Sequence, residues 1–239
     1  MNQFYVLPEH VSSSQIVLTD QEAQHASKVL RKGAGETIYV TDGAGTRYEC
    51  KIVSTGKREL RASIVETRKF RKPDHRVELC MGLIRKRDRL EFAAEKATEL
   101  GVSKISLFRA DHTEPFKVRK DRVEAAVLSA MKQSLRVFLP EVSVYDSLDE
   151  LMDQNLEQTL ILQADAGGQR DTNLVYSDLT KIMMIVGPEG GLSAREADLL
   201  IKKGTRMISL GDFRLRAETA AMLMSATFGH KKADPERPA

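Results

Sequence analysis

The sequence predicts an α/β protein in which helices cover a parallel sheet, preceded by a smaller β-rich domain. Two observations support this fold class. Residues 1–70 contain several short strand-like runs, whereas strand-like and helical patterns alternate from residue 77 onward. A charged, proline-containing stretch at residues 71–76 separates the two patterns, which is typical of a linker between domains.

The first 70 residues are expected to form a small barrel, because many short strands follow one another. Strands are expected at residues 4–7, 15–18, 37–41, 47–53 and 60–66, with a hairpin signal at residues 42–45. One helix is expected after Thr19 or Asp20, either of which can cap it. Its apolar face is predicted to comprise Ala23, Ala26, Val29 and Leu30.

The second region, residues 77–230, is predicted to be one α/β domain. Strands are expected at residues 77–84, 104–108, 159–163, 182–186 and 206–210, and helices at 88–100, 121–137, 147–154, 193–203 and 218–228. Gly101 is expected to end the first of these helices, and Ser193 with Glu196 predicts a capping box. Residues 231–239 are short and polar, so we expect a disordered tail.

Composition excludes several classes of protein. Apolar residues make up 41% of the 239 residues and charged residues 30%, which is typical of a globular protein. No apolar run reaches the roughly 18 residues of a membrane span, and no secretion signal is visible at the N-terminus. Cys50 and Cys80 form no metal or redox motif and the five histidines are scattered. We therefore expect reduced thiols, no metal site and a cytoplasmic location.

Charge is distributed unevenly along the chain. Residues 51–90 contain thirteen Lys and Arg against five Asp and Glu, a net charge of +8. Residues 141–239 contain eleven against sixteen, a net charge of −5. A basic region of this kind favours a polyanion such as RNA as a partner, and a solvated face without a partner is an equal alternative.

Two glycine-rich turns carry the strongest functional signal. Residues 187–193 read GPEGGLS and residues 209–220 read SLGDFRLRAETA; each follows a predicted strand and precedes a predicted helix. Ligand pockets of α/β proteins lie at such positions. Neither turn has the dinucleotide or the triphosphate signature. Glu189 is the reactive side chain of the first turn, where it could accept a proton, bind a ligand or hold an arginine. A structural turn with an exposed carboxylate is the alternative.

Several cationic groups are candidates for contacts with phosphate. Arg214 and Arg216 lie close to Glu218, either as a cationic guide or as an exposed ion pair. Lys132 and Arg136 are spaced as like charges on one helix face, which an anion between them would stabilise. Further candidates, each with a solvated or packing role as the alternative, are Arg85, Arg87, Gln133 and His25.

The two turns together resemble the RsmE-type 16S rRNA (uracil-N3) methyltransferases of the SPOUT superfamily. Three further elements are similar to that family, in the same order along the chain. They are His25 with Val29-Leu30-Arg31 and then Asp42-Gly43, the run KATELGV at residues 96–102, and QSLR at residues 133–136 with Pro140. The likeness covers nearly the whole chain.

The resemblance implies a PUA-like RNA-binding barrel at residues 1–70 and a SPOUT domain with a deep trefoil knot at residues 77–230. It implies a homodimer that acts on 16S rRNA, within the small ribosomal subunit, with S-adenosylmethionine as cofactor. The cofactor-binding residues it implies are Leu162, Gly187, Gly190, Gly191, Leu210, Gly211, Leu215, Thr219 and Ala220. The RNA-binding residues it implies are His25, Arg31, Lys32, Arg85, Arg87, Lys132, Gln133, Arg136 and Arg214.

The chain departs from the family pattern at five places. Gln3 stands in place of a common arginine, and residues 110–115 lack the Arg-Ser pair that is usual there. Lys132 replaces a glutamate, Ala217 replaces a threonine, and Arg214 lies one position later than the usual arginine. These departures make Arg216 a safer functional assignment than Arg214.

The reaction implied is transfer of a methyl group to ring nitrogen 3 of a uridine. That nitrogen carries a proton, so the site needs a proton acceptor or cations that stabilise the uridine anion. Glu189 or Glu218 is the candidate acceptor, and Arg216 is the candidate for stabilising the negative charge. The alternatives are a ribose 2′-oxygen methyltransferase, a non-catalytic RNA-binding protein and a cofactor-binding regulator.

Overall fold

The computed structural model describes residues 3–73, 75–114, 116–169 and 181–229. These residues form two compact units. The first contains residues 3–72 together with Met131–Leu139, and the second contains the described residues of 73–130 and 140–229. No pattern in the sequence predicted that residues 131–139 belong with the first unit. The predicted tail, residues 231–239, lies outside the described residues.

The first unit is built on a five-stranded sheet with the order β1-β3-β4-β5-β2. β1 pairs in parallel with β3, and the other neighbours are antiparallel, with register shifts between β4 and β5 that are typical of bulges. Alternate apolar side chains of the sheet face one core. The strands are β1 (Gln3–Tyr5), β2 (Gln15–Thr19), β3 (Thr37–Thr41), β4 (Thr46–Thr55) and β5 (Glu59–Lys69).

The helix of the first unit differs from the expected amphipathic helix. α1 (Asp20–Gln24) continues directly into a π-helical turn at His25–Val29. Ala23 and Ala26 are buried as predicted, but Val29 is 68% exposed. The wider π-helical turn shifts the phase of the side chains, so the predicted apolar face was wrong at Val29. Thr19 precedes the helix without a side-chain hydrogen bond to it.

The predicted hairpin turn at residues 42–45 is confirmed and explains why residues 131–139 belong to this unit. Gly45 has a positive φ of 106°, and a Cβ at this position would lie 2.5 Å from the Phe138 ring. The Gly45 N–H donates to the Val137 carbonyl at 2.9 Å, and the Leu139 N–H donates to the Gly43 carbonyl at 2.8 Å. Only glycine allows this close approach.

The second unit is built on a six-stranded, all-parallel sheet with the order β11-β9-β10-β6-β7-β8. β8 was not predicted, because Val142 is its one fully buried residue and the strand has no apolar run. The strands are β6 (Arg76–Gly82), β7 (Lys104–Phe108), β8 (Glu141–Tyr145), β9 (Thr159–Gln169), β10 (Lys181–Val186) and β11 (Arg206–Ile208).

Two apolar layers cover the faces of this sheet. Successive residues of β6 alternate between them, so that Leu79 and Met81 pack in one layer and Cys80 packs in the other. Burial raises the pKa of the Cys80 thiol, which is free, as is the buried thiol of Cys50. The helices are α2 (Arg87–Glu99), α3 (Lys120–Gln133), α4 (Leu148–Met152), α5 (Ala194–Lys202) and α6 (Ala217–Phe228).

The sequence predicted where α5 begins and where α3 ends, and the structure agrees with the first prediction only. The capping box at the start of α5 is confirmed, because Ser193 and Glu196 accept hydrogen bonds from each other's backbone N–H. The helix predicted to reach residue 137 ends at Gln133 instead. Leu135 has a positive φ of 58°, which stops the helix.

In the part of the chain that the structure describes, no helix is long and apolar enough to cross a membrane.

A buried carboxylate lies in the middle of the parallel sheet. Glu78 on β6 is 1% exposed and lies 2.6 Å from the Lys181 ammonium of β10 and 3.8 Å from that of Lys104 on β7. The Ser106 hydroxyl donates a further hydrogen bond to it. A charge at this depth is tolerated because cations and a donor surround it. The cluster therefore ties three neighbouring strands together.

We expect Glu78→Gln to lower the free energy of unfolding of the second unit by about 2 kcal/mol, because the partly buried Lys181 loses its counter-charge and Lys104 keeps only the exposed Glu141. Urea unfolding monitored by circular dichroism measures this change. The matched control is Glu141→Gln, which removes a carboxylate that lies 3.7 Å from Lys104 and is 67% exposed. That control should cost less than about 0.5 kcal/mol, and equal losses in the two variants would contradict the role assigned to Glu78.

Candidate functional site

The first glycine turn follows β10 at the carboxyl edge of the parallel sheet. A Cβ at Gly82, the last residue of β6, would lie 2.5 Å from Pro188, so the turn packs directly on the end of the neighbouring strand. Gly191 has a φ of 73°, which bends the chain toward α5. The turn therefore presents Glu189, whose side chain is 46% exposed, at the edge where α/β proteins bind ligands.

The second glycine turn follows β11 at the same edge. Gly211 has a φ of 148°, and Arg216 is the residue that precedes the first turn of α6. The side chains of Arg214 and Arg216 are exposed, whereas Glu218 is only 8% exposed. The first N–H groups of α6 have no acceptor within the helix, so this turn offers both cations and backbone donors to a ligand.

One arginine joins the two turns. Arg89, in the first turn of α2, lies 3.0 Å from Glu189 Oε1 and 3.4 Å from Glu218 Oε1. Its side chain is 23% exposed, so both ion pairs are partly shielded from water. The sequence left open whether Arg214 and Arg216 act as a cationic guide or form an exposed ion pair with Glu218. In the fold, Glu218 is largely buried and pairs with Arg89 of α2.

The sequence analysis did not select Arg89 as a site residue, although it selected the nearby Arg85 and Arg87. The signal that could have selected it is its position at the start of a helix that follows a β-strand end. A helix that begins at the carboxyl edge of the sheet places its first side chains beside the ligand turns. The neighbouring Arg87 instead approaches Glu91 of the same helix, at 3.9 Å.

Two buried acceptors near these turns have no hydrogen-bond partner among the described residues. One is Glu218 Oε2 and the other is Gln163 Oε1. Gln163 on β9 lies opposite Ile185 and Met207, close to the ends of the strands that lead into the two turns. Buried acceptors without partners are costly, so they favour a ligand that donates hydrogen bonds. The predicted contact Leu162 is fully buried in the core, which leaves Gln163 as the polar side chain of β9 here.

A second arginine holds the first turn from the other side. Arg195 of α5 donates to both carboxylate oxygens of Asp111, at 2.9 and 3.0 Å, and to Asp149 at 2.8 Å. The Ser193 hydroxyl also donates to Asp111, at 2.6 Å. The hydrogen bonds from Arg195 and Ser193 lower the pKa of Asp111 to about 2. A Cβ at Gly190 would lie 3.3 Å from the Cβ of His112, so this loop packs against the glycine turn.

Of the first-unit residues predicted to contact RNA, some are packed or paired with other residues and others are exposed. His25 packs edge-on against Phe4, with ring centroids 6.0 Å apart, and Lys32 pairs with Glu36 at 2.7 Å. Gln133 and Arg31 are exposed, and Arg31 has a positive φ of 54°. His25 thus makes a packing contact, which was the alternative to its predicted RNA contact.

The predicted helix face shared by Lys132 and Arg136 was wrong. Arg136 lies beyond the end of α3, so the two residues do not share a helix face. Lys132 forms an ion pair with Glu22 of α1. Burial lowers the pKa of Arg136 to about 10, and its carbonyl accepts a hydrogen bond from the Gln3 side chain at 2.7 Å. Lys132 thus joins two segments of the first unit through its ion pair.

Two protein families match the chain. An RNA methyltransferase domain matches residues 71–229, and an RNA methyltransferase PUA domain matches residues 18–65. The chain belongs to the RNA methyltransferase family. Ribosomal RNA small subunit methyltransferase E of Mycobacterium bovis is 30% identical over 241 residues, with 95% of this chain and 90% of that protein covered. The enzyme of the same name from Rickettsia conorii is 29% identical over 228 residues, with 92% of each chain covered.

The fold of this RNA methyltransferase is similar to that of a solved relative. Ribosomal RNA small subunit methyltransferase E from Neisseria gonorrhoeae, solved with S-adenosyl methionine bound, superposes with a TM-score of 0.83 at 27% identity. That comparison covers 95% of both chains. Together with the two sheets, it confirms the predicted fold class, a SPOUT α/β domain preceded by a PUA-like domain.

We expect Arg89→Ala to lower the free energy of unfolding by about 2 kcal/mol, because the largely buried Glu218 carboxylate loses its cation. Thermal unfolding followed by calorimetry measures the change. The matched control is Arg87→Ala, which removes a 57% exposed side chain from the same helical turn. This control should change stability by less than about 0.5 kcal/mol. An equally small effect of both substitutions would show that Arg89 does not hold the turns.

The lowered pKa of Asp111 predicts a specific pH dependence. Because its folded pKa of about 2 lies below the ordinary 3.8, the ionised carboxylate stabilises the fold above pH 4. This contribution is lost as the pH falls from 4 to 2. The Tm difference between the parent and Asp111→Asn should thus be constant from pH 7 to 5 and shrink below pH 4. Asp198→Asn, an exposed site on α5, is the control, and a pH-independent difference at Asp111 would contradict the assignment.

Proposed function

We propose that the protein transfers a methyl group from S-adenosylmethionine to ring nitrogen 3 of a uridine in 16S rRNA. The observation that carries this proposal is the pair of glycine turns, which the parallel sheet brings to one edge and which Arg89 joins. The relatives named above are small-subunit rRNA methyltransferases, and the Neisseria protein binds S-adenosyl methionine. We assign the same cofactor and the same class of substrate to this chain.

The residues present fit this cofactor. The two buried acceptors, Glu218 Oε2 and Gln163 Oε1, suit a ligand that carries amino and hydroxyl donors. The open N–H groups at the start of α6 suit its carboxylate. The residues that would hold it are the glycines and apolar side chains of the two turns and the start of α6: Gly187, Gly190, Gly191, Leu210, Gly211, Leu215, Thr219 and Ala220. When bound, S-adenosylmethionine supplies an electrophilic methyl group on a sulfonium.

The protein must remove or share the proton on uridine nitrogen 3. Glu189 is our candidate acceptor, because Arg89 occupies its Oε1 and its half-exposed carboxylate keeps a second oxygen for the uridine N–H. Arg216 is our candidate for stabilising the negative charge that develops on the uracil oxygens. We give Glu218 a positioning role, because it is largely buried and holds Arg89 in place.

We further propose that the protein works as a homodimer in the cytoplasm, on RNA within the small ribosomal subunit. Large apolar side chains of the second unit are accessible to a second copy. Phe213 in the second glycine turn is 85% exposed, and Phe92 on α2 is 40% exposed. Exposed aromatic groups beside a site support a subunit interface or contact with substrate. Sedimentation velocity of the parent and of Phe92→Ser tests the homodimer.

The test of function is incubation with small ribosomal subunits that lack the modification and with labelled S-adenosylmethionine, followed by nucleoside analysis of the rRNA. Label in a single 3-methyluridine supports the proposal. Label on a ribose would instead indicate a ribose 2′-oxygen methyltransferase, in which a hydroxyl group is the nucleophile. Absence of label from the rRNA, with cofactor binding intact, would contradict the proposed substrate.

We expect Arg216→Ala to lower kcat by about 100-fold while changing the dissociation constant of S-adenosylmethionine by less than about threefold. Loss of one charge-stabilising donor typically has this effect on the chemical step. Single-turnover kinetics and calorimetric titration measure the two quantities. The matched control is Arg214→Ala in the same turn, which should retain most of the activity. Equal losses of turnover and cofactor affinity at Arg216 would contradict its role.

A further inference from the structure

A cleft of about 520 Å³ lies beside the first turn of α2, on the second unit. Its walls are the loop between β6 and α2 and the loop that precedes α3. Both loops continue from the carboxyl ends of neighbouring strands, β6 and β7, which pair in parallel. The cleft thus opens at the same edge of the sheet as the glycine turns. Its volume falls within the range of roughly 300–1,000 Å³ that is usual for small-ligand sites.

The lining of the cleft combines cations with an apolar surface. The apolar part is formed by Ile84, Leu90, Phe116, Val118 and Val123. The charged part is formed by Arg85, Arg87, Lys117 and Arg119, against the single carboxylate of Asp88. This combination matches a nucleotide, because the base requires an apolar or aromatic surface and the phosphates require cations.

The cations at the rim can exchange their present partners at little cost. Arg85 pairs with Glu114 at 3.0 Å, but both side chains are more than three-quarters exposed. Arg119 pairs with its neighbour Asp121 at 2.8 Å, and both of these side chains are at least half exposed. Exposed ion pairs contribute little to stability. A phosphodiester that enters the cleft can therefore replace the carboxylates.

We propose that this cleft binds one nucleotide of a single-stranded RNA segment, with its base against Phe116 and its flanking phosphates on Lys117, Arg119 and Arg85. The inference rests on the proposed function to the extent that the substrate is RNA. Single-stranded RNA is favoured over a duplex, because paired bases cannot reach an enclosed apolar surface. Arg87 in the cleft and Arg89 at the glycine turns lie in the same helical turn. The cleft and the glycine turns therefore both lie beside the start of α2.

The backbone around Phe116 is anchored in a way that suits a stacking surface. The Phe116 carbonyl accepts a hydrogen bond from the Arg109 guanidinium at 3.2 Å, and that guanidinium lies 5.9 Å from the ring centroid. The ring is partly buried against the core of the second unit. An aromatic ring that is anchored on one side and faces a cleft on the other has a face available for a base.

The phosphate contacts are tested with a fluorescent single-stranded RNA oligonucleotide and the full-length protein. We expect Lys117→Ala with Arg119→Ala to weaken binding about tenfold. The slope of log K against log salt should fall by roughly 1.4, because each single-strand phosphate contact contributes about 0.7. Lys202→Ala with Lys203→Ala, at the end of α5 outside the cleft, is the matched control and should leave affinity and slope unchanged.

The base contact is tested at Phe116. We expect Phe116→Leu, which keeps an apolar side chain, to weaken RNA binding about tenfold without a change in the salt slope. Phe116→Tyr should restore the parental affinity, because it keeps the ring. Thermal unfolding and the affinity for S-adenosylmethionine should match the parent in all cleft variants, which separates loss of RNA binding from loss of fold.

The outcomes distinguish this proposal from the proposed function. Unchanged RNA affinity in the Lys117 and Arg119 variant, or an equal loss in the α5 control, would overturn the cleft as a binding site. Equal affinity for a duplex of the same sequence would overturn its preference for a single strand. If the parent protein forms no 3-methyluridine but its RNA affinity still depends on the cleft, the proposed reaction fails and the cleft proposal stands.

Discussion

The parallel pairing of β10 with β6 on one side and with β9 on the other is the constraint on which the site depends. Parallel register sends all carboxyl ends to one edge, so loops that are far apart in the chain meet there. Glu78 and Lys181 form an ion pair across two of these strands. The register that this pair favours sets how closely Gly82 approaches Pro188, and hence where the first glycine turn lies.

Ion pairs also position the glycine turns at the carboxyl edge of the parallel sheet. Leu192 of the first turn and Leu210 and Leu215 of the second pack against the core, and ion pairs add to this packing. Arg89 holds them together from α2, and Arg195 holds the loop with Asp111 against the start of α5. Both arginines make forked contacts to two carboxylates, which fixes direction as well as distance. These ion pairs therefore help to fix where the two turns lie.

The cations of this chain have two kinds of environment, which their sequence context did not separate. Lys132 is partly buried and paired with a glutamate that lies 110 residues away, and so it stabilises the first unit. Arg85 and Arg119 are exposed, and the carboxylates that they pair with, Glu114 and Asp121, are exposed as well. A partly buried pair is costly to break, whereas an exposed pair is not. This difference decides which cations are available to a polyanion.

The sequence by itself determined the fold class, most strands and helices, and the two glycine turns, because periodicity, caps and turn residues act over a few neighbouring positions. It also carried the family likeness, which resides in short motifs such as GPEGG. Only the tertiary structure decided that Arg89 meets Glu189, 100 residues later, that residues 131–139 join the first unit, and that Gln163 lies between the two turns. β8 and the early end of α3 were missed for a related reason: an edge strand is specified by its neighbour, and the φ of Leu135 by the segment that follows it. Such contacts join residues that no local pattern connects, and they form only once the parallel sheet has brought the strand ends together.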